Sequence, residues 1–123
     1  MAGGRKKVLI VEDNSEVRRL LAIGLNQRGF EVKLASNGAE AVERAKEEKP
    51  DIILLDWVMP LMDGAEVLNK LSEGEPNAAP VIVISGHAPP SARETDRRVV
   101  RWLSKPVSID DLVAEIQRPL ALR

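Results

Sequence analysis

Apolar runs of four residues recur along the chain, and most are followed by a stretch whose apolar residues return every three or four positions. Val8-Leu9-Ile10-Val11, Ile52-Ile53-Leu54-Leu55 and Val81-Ile82-Val83-Ile84 carry no polar residue on either face. That is the pattern of strands inside a parallel sheet covered on both sides. Phe30 to Ala35 instead sets Phe30, Val32 and Leu34 against Glu31 and Lys33, which predicts a more exposed strand at a sheet edge. Val99 to Leu103 supplies a fifth strand. Asn14 is a suitable N-cap for a first helix with Val17, Leu20, Leu21, Gly24 and Leu25 as its apolar face, stopped by Gly29. Asn37-Gly38 opens a second helix, with Ala41, Val42 and Ala45 inward. A third follows the loop Trp57 to Gly64, turns Ala65, Leu68 and Leu71 inward and ends at Glu73-Gly74-Glu75-Pro76. Pro89-Pro90 forbids a long helix after the fourth strand, but Ser91 and Glu94 have capping-box spacing and predict a short one to about Arg98. Ser108 caps a fifth helix with Ile109, Leu112, Val113 and Ile116 inward, its end frayed or kinked by Pro119.

Five strands alternating with five helices predict a doubly wound α/β fold, (βα)5, with a parallel sheet between two helical layers. The length of 123 residues suits a single domain, its core spanning about residues 6 to 118, with no output domain. The absence of cysteine rules out disulfides and thiolate metal sites. Lys plus Arg number 18 against 19 Asp plus Glu, and only Phe30, Trp57 and Trp102 are aromatic. A chain with neither a basic footprint nor a stacking platform is not expected to bind nucleic acid directly. Apolar runs of four residues are far short of the ~20 needed to span a bilayer. The positive start, Met1 to Lys7, precedes too short a run for a signal peptide. A cytoplasmic chain without membrane insertion is expected.

In an open parallel sheet the ligand site lies beyond the carboxyl ends of the strands. Glu12 and Asp13 follow the first strand, Asp56 the third, Ser85 the fourth and Lys105 the fifth. Each has an ordinary explanation by itself, as a loop starter, a turn residue or a solvated lysine. Together they place three carboxylates on one sheet edge, where each raises the pKa of the others unless a cation lies between them. Oxygen ligands without histidine or cysteine select Mg²⁺, with Mn²⁺ as a substitute. Such a site is completed by phosphate oxygens, and a carboxylate can act as nucleophile toward phosphorus.

Val11-Glu12-Asp13-Asn14, Leu54-Leu55-Asp56-Trp57-Val58-Met59-Pro60-Leu61-Met62-Asp63-Gly64, Ile84-Ser85-Gly86 and Lys105-Pro106 together resemble the receiver domain of bacterial two-component response regulators, over essentially the whole chain. The resemblance implies a flavodoxin-like strand order of 2-1-3-4-5. It implies that Asp56 accepts a phosphoryl group from a phosphohistidine on a sensor histidine kinase or phosphotransfer protein. Asp13 and Asp56 would touch Mg²⁺, with Glu12 acting mostly through water and the Val58 carbonyl as a backbone ligand. Ser85 and Lys105 would each bind a phosphoryl oxygen, and Ser85 with Trp102 would form the switch. Val58 and His87 would tune loss of the phosphoryl group. The Lys105-Pro106 peptide would be cis. The surface of the fourth helix, fifth strand and fifth helix would engage a downstream effector or a second copy of the chain. The sequence departs from the family at Trp102, more often tyrosine or phenylalanine, at Val99-Val100, more often Gly-Ala, and at Pro89-Pro90.

Two other functions compete with a phosphoacceptor that is not a turnover enzyme. A Mg²⁺-dependent phosphatase of the haloacid dehalogenase type also uses a strand-end aspartate, but places a second aspartate two residues later, where this chain has Val58. A pseudo-receiver would be an interaction module without chemistry, yet all five chemical positions hold competent side chains.

Overall fold

The computed structural model describes residues 5–56, 58–59, 62–72, 79–86 and 99–121. The elements run β1 (Lys7–Val11), α1 (Ser15–Gln27), β2 (Glu31–Ala35), α2 (Gly38–Glu48), β3 (Ile52–Asp56), β4 (Val58–Met59), β5 (Met62–Asp63), α3 (Gly64–Ser72), β6 (Val81–Ser85), β7 (Val99–Ser104) and α4 (Ile109–Ala121). Five strands form a parallel sheet in the order β2-β1-β3-β6-β7. Counting only those five, the order is 2-1-3-4-5. Strand order reverses between β1 and β3, so the crevice at their carboxyl ends is where a ligand is expected.

Alternation along the strands explains why the apolar runs have no polar face. Leu9, Val11, Ile53, Leu55, Val81 and Val83 pack into one buried cluster with Ala41 of α2 and Val67, Leu68 and Leu71 of α3. Val8, Ile10, Ile52, Leu54, Ile82 and Ile84 pack into another with Leu25 of α1 and Leu112, Val113 and Ile116 of α4. Each buried Leu, Ile or Val side chain contributes about 1.5–3 kcal/mol from burial, so both helical layers are held by the same short strands.

Helix starts follow local chemistry. The Asn14 side chain accepts hydrogen bonds from the Glu16 and Val17 amides at 2.9 and 3.0 Å. At α2, Asn37 accepts from the Glu40 amide while Glu40 accepts from the Ser36 amide at 2.7 Å, a capping-box arrangement whose return bond goes to the residue before the cap. Gly29, at φ +94°, turns the chain out of α1 in a conformation a side chain would disfavour.

The structure corrects the expected layout in two places. In α1, Leu20 and Val17 are exposed at 68% and 39%, while Leu25 is fully buried and Leu21 and Ala22 pack against the core. At 100° per residue Leu20 lies about 140° round the helix from Leu25, so both cannot face one sheet. The loop after β3 contains a two-residue antiparallel ribbon, β4 with β5, pairing Val58 with Asp63 and Met59 with Met62. The last helix ends at Ala121, two residues past Pro119; a proline lacks the amide of the helical ladder and clashes with the preceding turn. The expected fourth helix, Ser91 to Arg98, lies outside the described residues, as do Trp57 and His87.

Candidate phosphoryl-transfer site

β1 and β3 are adjacent and in register, Val11 opposite Leu55, so the residues that end them arrive side by side. Carboxylate oxygens of Glu12, Asp13 and Asp56 lie within 4.8 Å of one another. Glu12 and Asp56 are buried, at 4% and 5% exposure, and Asp13 is exposed. The Glu12 carboxylate accepts from the Asn14 amide at 3.1 Å, and the Glu12 amide donates to the Ala35 carbonyl at 3.0 Å. Its side chain is thus tied to its own loop and its backbone to β2.

Burial is the largest reason why the Glu12 carboxyl is pushed up to about 7, followed by hydrogen bonding to the Asp56 carboxyl. The Asn14 amide opposes the shift, and the Asp56 charge and the Asp13 carboxyl add to it. A carboxyl that holds its proton near neutrality is here chiefly a desolvated one, with the neighbouring carboxyls adding to the shift. Three convergent oxygen ligands of this kind suit a hard divalent cation with open coordination positions.

β6 and β7 complete the edge. Lys105 follows β7, and its ammonium stands 3.1 Å from Asp56 Oδ2. The Lys105 amide donates to the Ser85 carbonyl at 2.8 Å, which fixes where the lysine leaves the sheet. Ser85, at the end of β6, is 1% exposed. The Lys105-Pro106 peptide is cis. The Ser108 hydroxyl accepts from the Asp111 amide at 3.1 Å and starts α4 directly behind this turn.

Trp102 is half-buried and packs with the α2/α3-side cluster. A register irregularity sets its side: Val81 pairs with Val99, but Ile82 pairs with Arg101. The extra residue in β7 lets Val99 and Trp102, three apart, both pack on one face, which a regular strand forbids. Of the residues singled out by sequence, Glu12, Asp13, Asp56, Ser85 and Lys105 come together at this edge, and Trp102 lies two residues before its end. Val58 sits in β4, and His87 is outside the described residues.

One side chain at the site is marked by no motif. Arg18, on α1, donates from Nη1 to the Glu12 carbonyl at 2.7 Å and, at a longer 3.4 Å, to the Asp13 carbonyl. Its signal in the sequence is electrostatic: a cation four residues into a helix opposes the helix dipole.

The chain belongs to the response regulator receiver domain family, whose sequence profile matches residues 8–117. It is 38% identical over 120 residues to the response regulator receiver protein CpdR of Brucella abortus (strain 2308), covering 94% of this chain and 97% of that protein. It is also 38% identical over 124 residues to the transcriptional regulatory protein PrrA of Mycobacterium tuberculosis (strain ATCC 25618 / H37Rv), covering 95% of this chain but 51% of that protein. Among solved structures, it resembles one from the CheX-CheY-BeF3-Mg²⁺ complex of Borrelia burgdorferi with a TM-score of 0.83 and 27% identity, covering 96% of this chain and 91% of that one. This chain is a receiver domain of the two-component response regulator type. No described helix is long and apolar enough to cross a membrane.

Proposed function

We propose that Asp56 is the phosphoacceptor of this receiver domain. An Asp56 carboxylate oxygen attacks the phosphorus of a phosphohistidine on a sensor histidine kinase or phosphotransfer protein. The new O–P bond forms as the P–N bond breaks, and the imidazole leaves with the electron pair of that bond. The observation that carries the proposal is the position of Asp56, buried beside Glu12 and Asp13 and 3.1 Å from the Lys105 ammonium. A nucleophile flanked by a cation and by an oxygen-ligand cluster is what phosphoryl transfer requires, because charge stabilisation does most of the catalytic work.

Glu12, Asp13, Asp56 and the Val58 carbonyl would hold Mg²⁺, which supplies charge neutralisation for the carboxylates and the incoming phosphoryl oxygens. Lys105 binds one phosphoryl oxygen and Ser85 another. Movement of Ser85 toward the phosphoryl group opens space for Trp102, and this biases the β7 and α4 surface together with the segment before β7 toward an effector or a second copy. Val58 and His87 adjust the lifetime of the acyl phosphate. The domain works as a stoichiometric acceptor in the cytoplasm and not as a turnover enzyme.

The test is incubation with acetyl phosphate and Mg²⁺ followed by intact-mass spectrometry. One labile phosphate is expected on the unsubstituted protein and none on Asp56→Asn. Phosphate release without an adduct would instead support a phosphatase, and neither adduct nor release a pseudo-receiver.

A further inference from the structure

Arg18 is half-buried, and the partners of its guanidinium among the described residues are two neutral carbonyls, those of Glu12 and Asp13. The placement is unusual on two counts. It sets a cation in the N-terminal part of α1, against the helix dipole. It also bonds that cation to the backbone carbonyls of Glu12 and Asp13, two of the three residues whose carboxylates cluster. Glu12 and Asp13 come straight after β1, where the ladder that fixes the strand has ended; the Glu12 amide still reaches Ala35. Asn14 then caps α1, and the Arg18 amide bonds the Asn14 carbonyl at 2.9 Å. From the fourth residue of the helix, the guanidinium thus folds back over the loop that carries the acidic pair.

We infer that Arg18 is a positioning residue for metal binding: it clamps the Glu12 and Asp13 carbonyls so that their carboxylates converge with Asp56. The inference rests on the Mg²⁺ site proposed above. Clamp and charge predict opposite signs, which makes the role measurable. Coulomb's law alone makes a neighbouring guanidinium repel Mg²⁺, so its removal should tighten binding. Loss of the clamp leaves the acidic loop free to spread and weakens binding, by about tenfold where an outer partner orients a ligand.

The experiment is a Mg²⁺ titration of the full chain followed by tryptophan fluorescence, with the Mg²⁺-induced rise in melting temperature as a second readout. Arg18→Met is expected to raise the Mg²⁺ dissociation constant about tenfold despite the loss of a repelling charge. Arg18→Lys is expected to fall between Arg18→Met and the unsubstituted protein, since one ammonium can keep the bond to the Glu12 carbonyl. Far-UV circular dichroism confirms that both variants are folded, and should Arg18→Met not fold, weaker Mg²⁺ binding by Arg18→Lys than by the unsubstituted protein carries the test. Binding by Arg18→Met as tight as or tighter than that of the unsubstituted protein overturns the inference, as does weaker binding by Arg18→Lys than by Arg18→Met. An unsubstituted protein with no Mg²⁺ response would remove the metal site itself, which is a different failure.

Discussion

Glu12 is a residue at which the site works against the fold. Its carboxyl is raised from 4.5 to about 7, first by burial and then by the adjoining Asp56 carboxyl. Between those two pH values the folded, metal-free protein holds a proton that the unfolded chain has released. Stability attributable to this group is therefore fully present below about pH 4.5 and declines as pH rises, levelling off above about 7. In EDTA, Glu12→Gln should be more stable than the unsubstituted protein at pH 8, with the difference shrinking toward pH 5. Urea unfolding at several pH values measures it, and a difference that does not change with pH would show that Glu12 is ionised throughout. The sequence marked Glu12 by its place after a strand, because strand ends are legible from where an apolar run stops. It did not mark Arg18, since a hydrogen bond to a carbonyl six residues back leaves no spacing motif.

Helices and strands were legible where one periodicity fitted one face. α2 shows this, with Ala41 buried and Val42 and Ala45 packed on the core. In α1 the apolar positions are too many for one arc, so periodicity alone chose the wrong centre. Leu25→Ala should accordingly cost about 2–5 kcal/mol, and Leu20→Ala, at 68% exposure, less than about 0.5 kcal/mol; thermal or urea unfolding compares them. The seam between α1 and α4 has its own signature. A Cβ on Gly24 would stand 2.6 and 2.8 Å from Cδ1 and Cγ1 of Ile109, and Arg28 pairs with Asp110 beside it. Alanine gains about 1 kcal/mol over glycine inside a helix, but overpacking costs about 1–3 kcal/mol. Gly24→Ala should therefore destabilise the protein, yet stabilise an Ile109→Ala background. The same sign in both backgrounds would mean that the two side chains do not meet. The extra residue in β7 was not legible, because Val99 and Val100 suit a strand equally well whichever of them is displaced.

The whole molecule brings residues 12, 13, 56, 85 and 105 to one edge, and this depends on strand order more than on any local motif. Alternating strands and helices are visible in the sequence, but which strands lie side by side is not. Family resemblance implies the order, and the observed β2-β1-β3-β6-β7 sheet agrees with it. That order concentrates three carboxylates against one close lysine ammonium, so the fold should be tightest when a divalent cation is present. A ligand bound only by the folded state stabilises it in proportion to the logarithm of its excess over the dissociation constant. Mg²⁺ at tenfold excess gives about 1.4 kcal/mol, or about 5 °C in melting temperature for a domain of this size. Protons would compete with the proposed metal for Glu12, whose carboxyl must be ionised to act as an acceptor or ligand. The Mg²⁺-induced rise should therefore be larger at pH 8 than at pH 5.5, opposite in sense to the metal-free pH trend of Glu12 itself. Differential scanning fluorimetry across both pH values and a range of Mg²⁺ concentrations provides the comparison. Equal rises at the two pH values would place Glu12 outside the metal's reach, and no rise at either would leave the acidic cluster without the cation its geometry calls for.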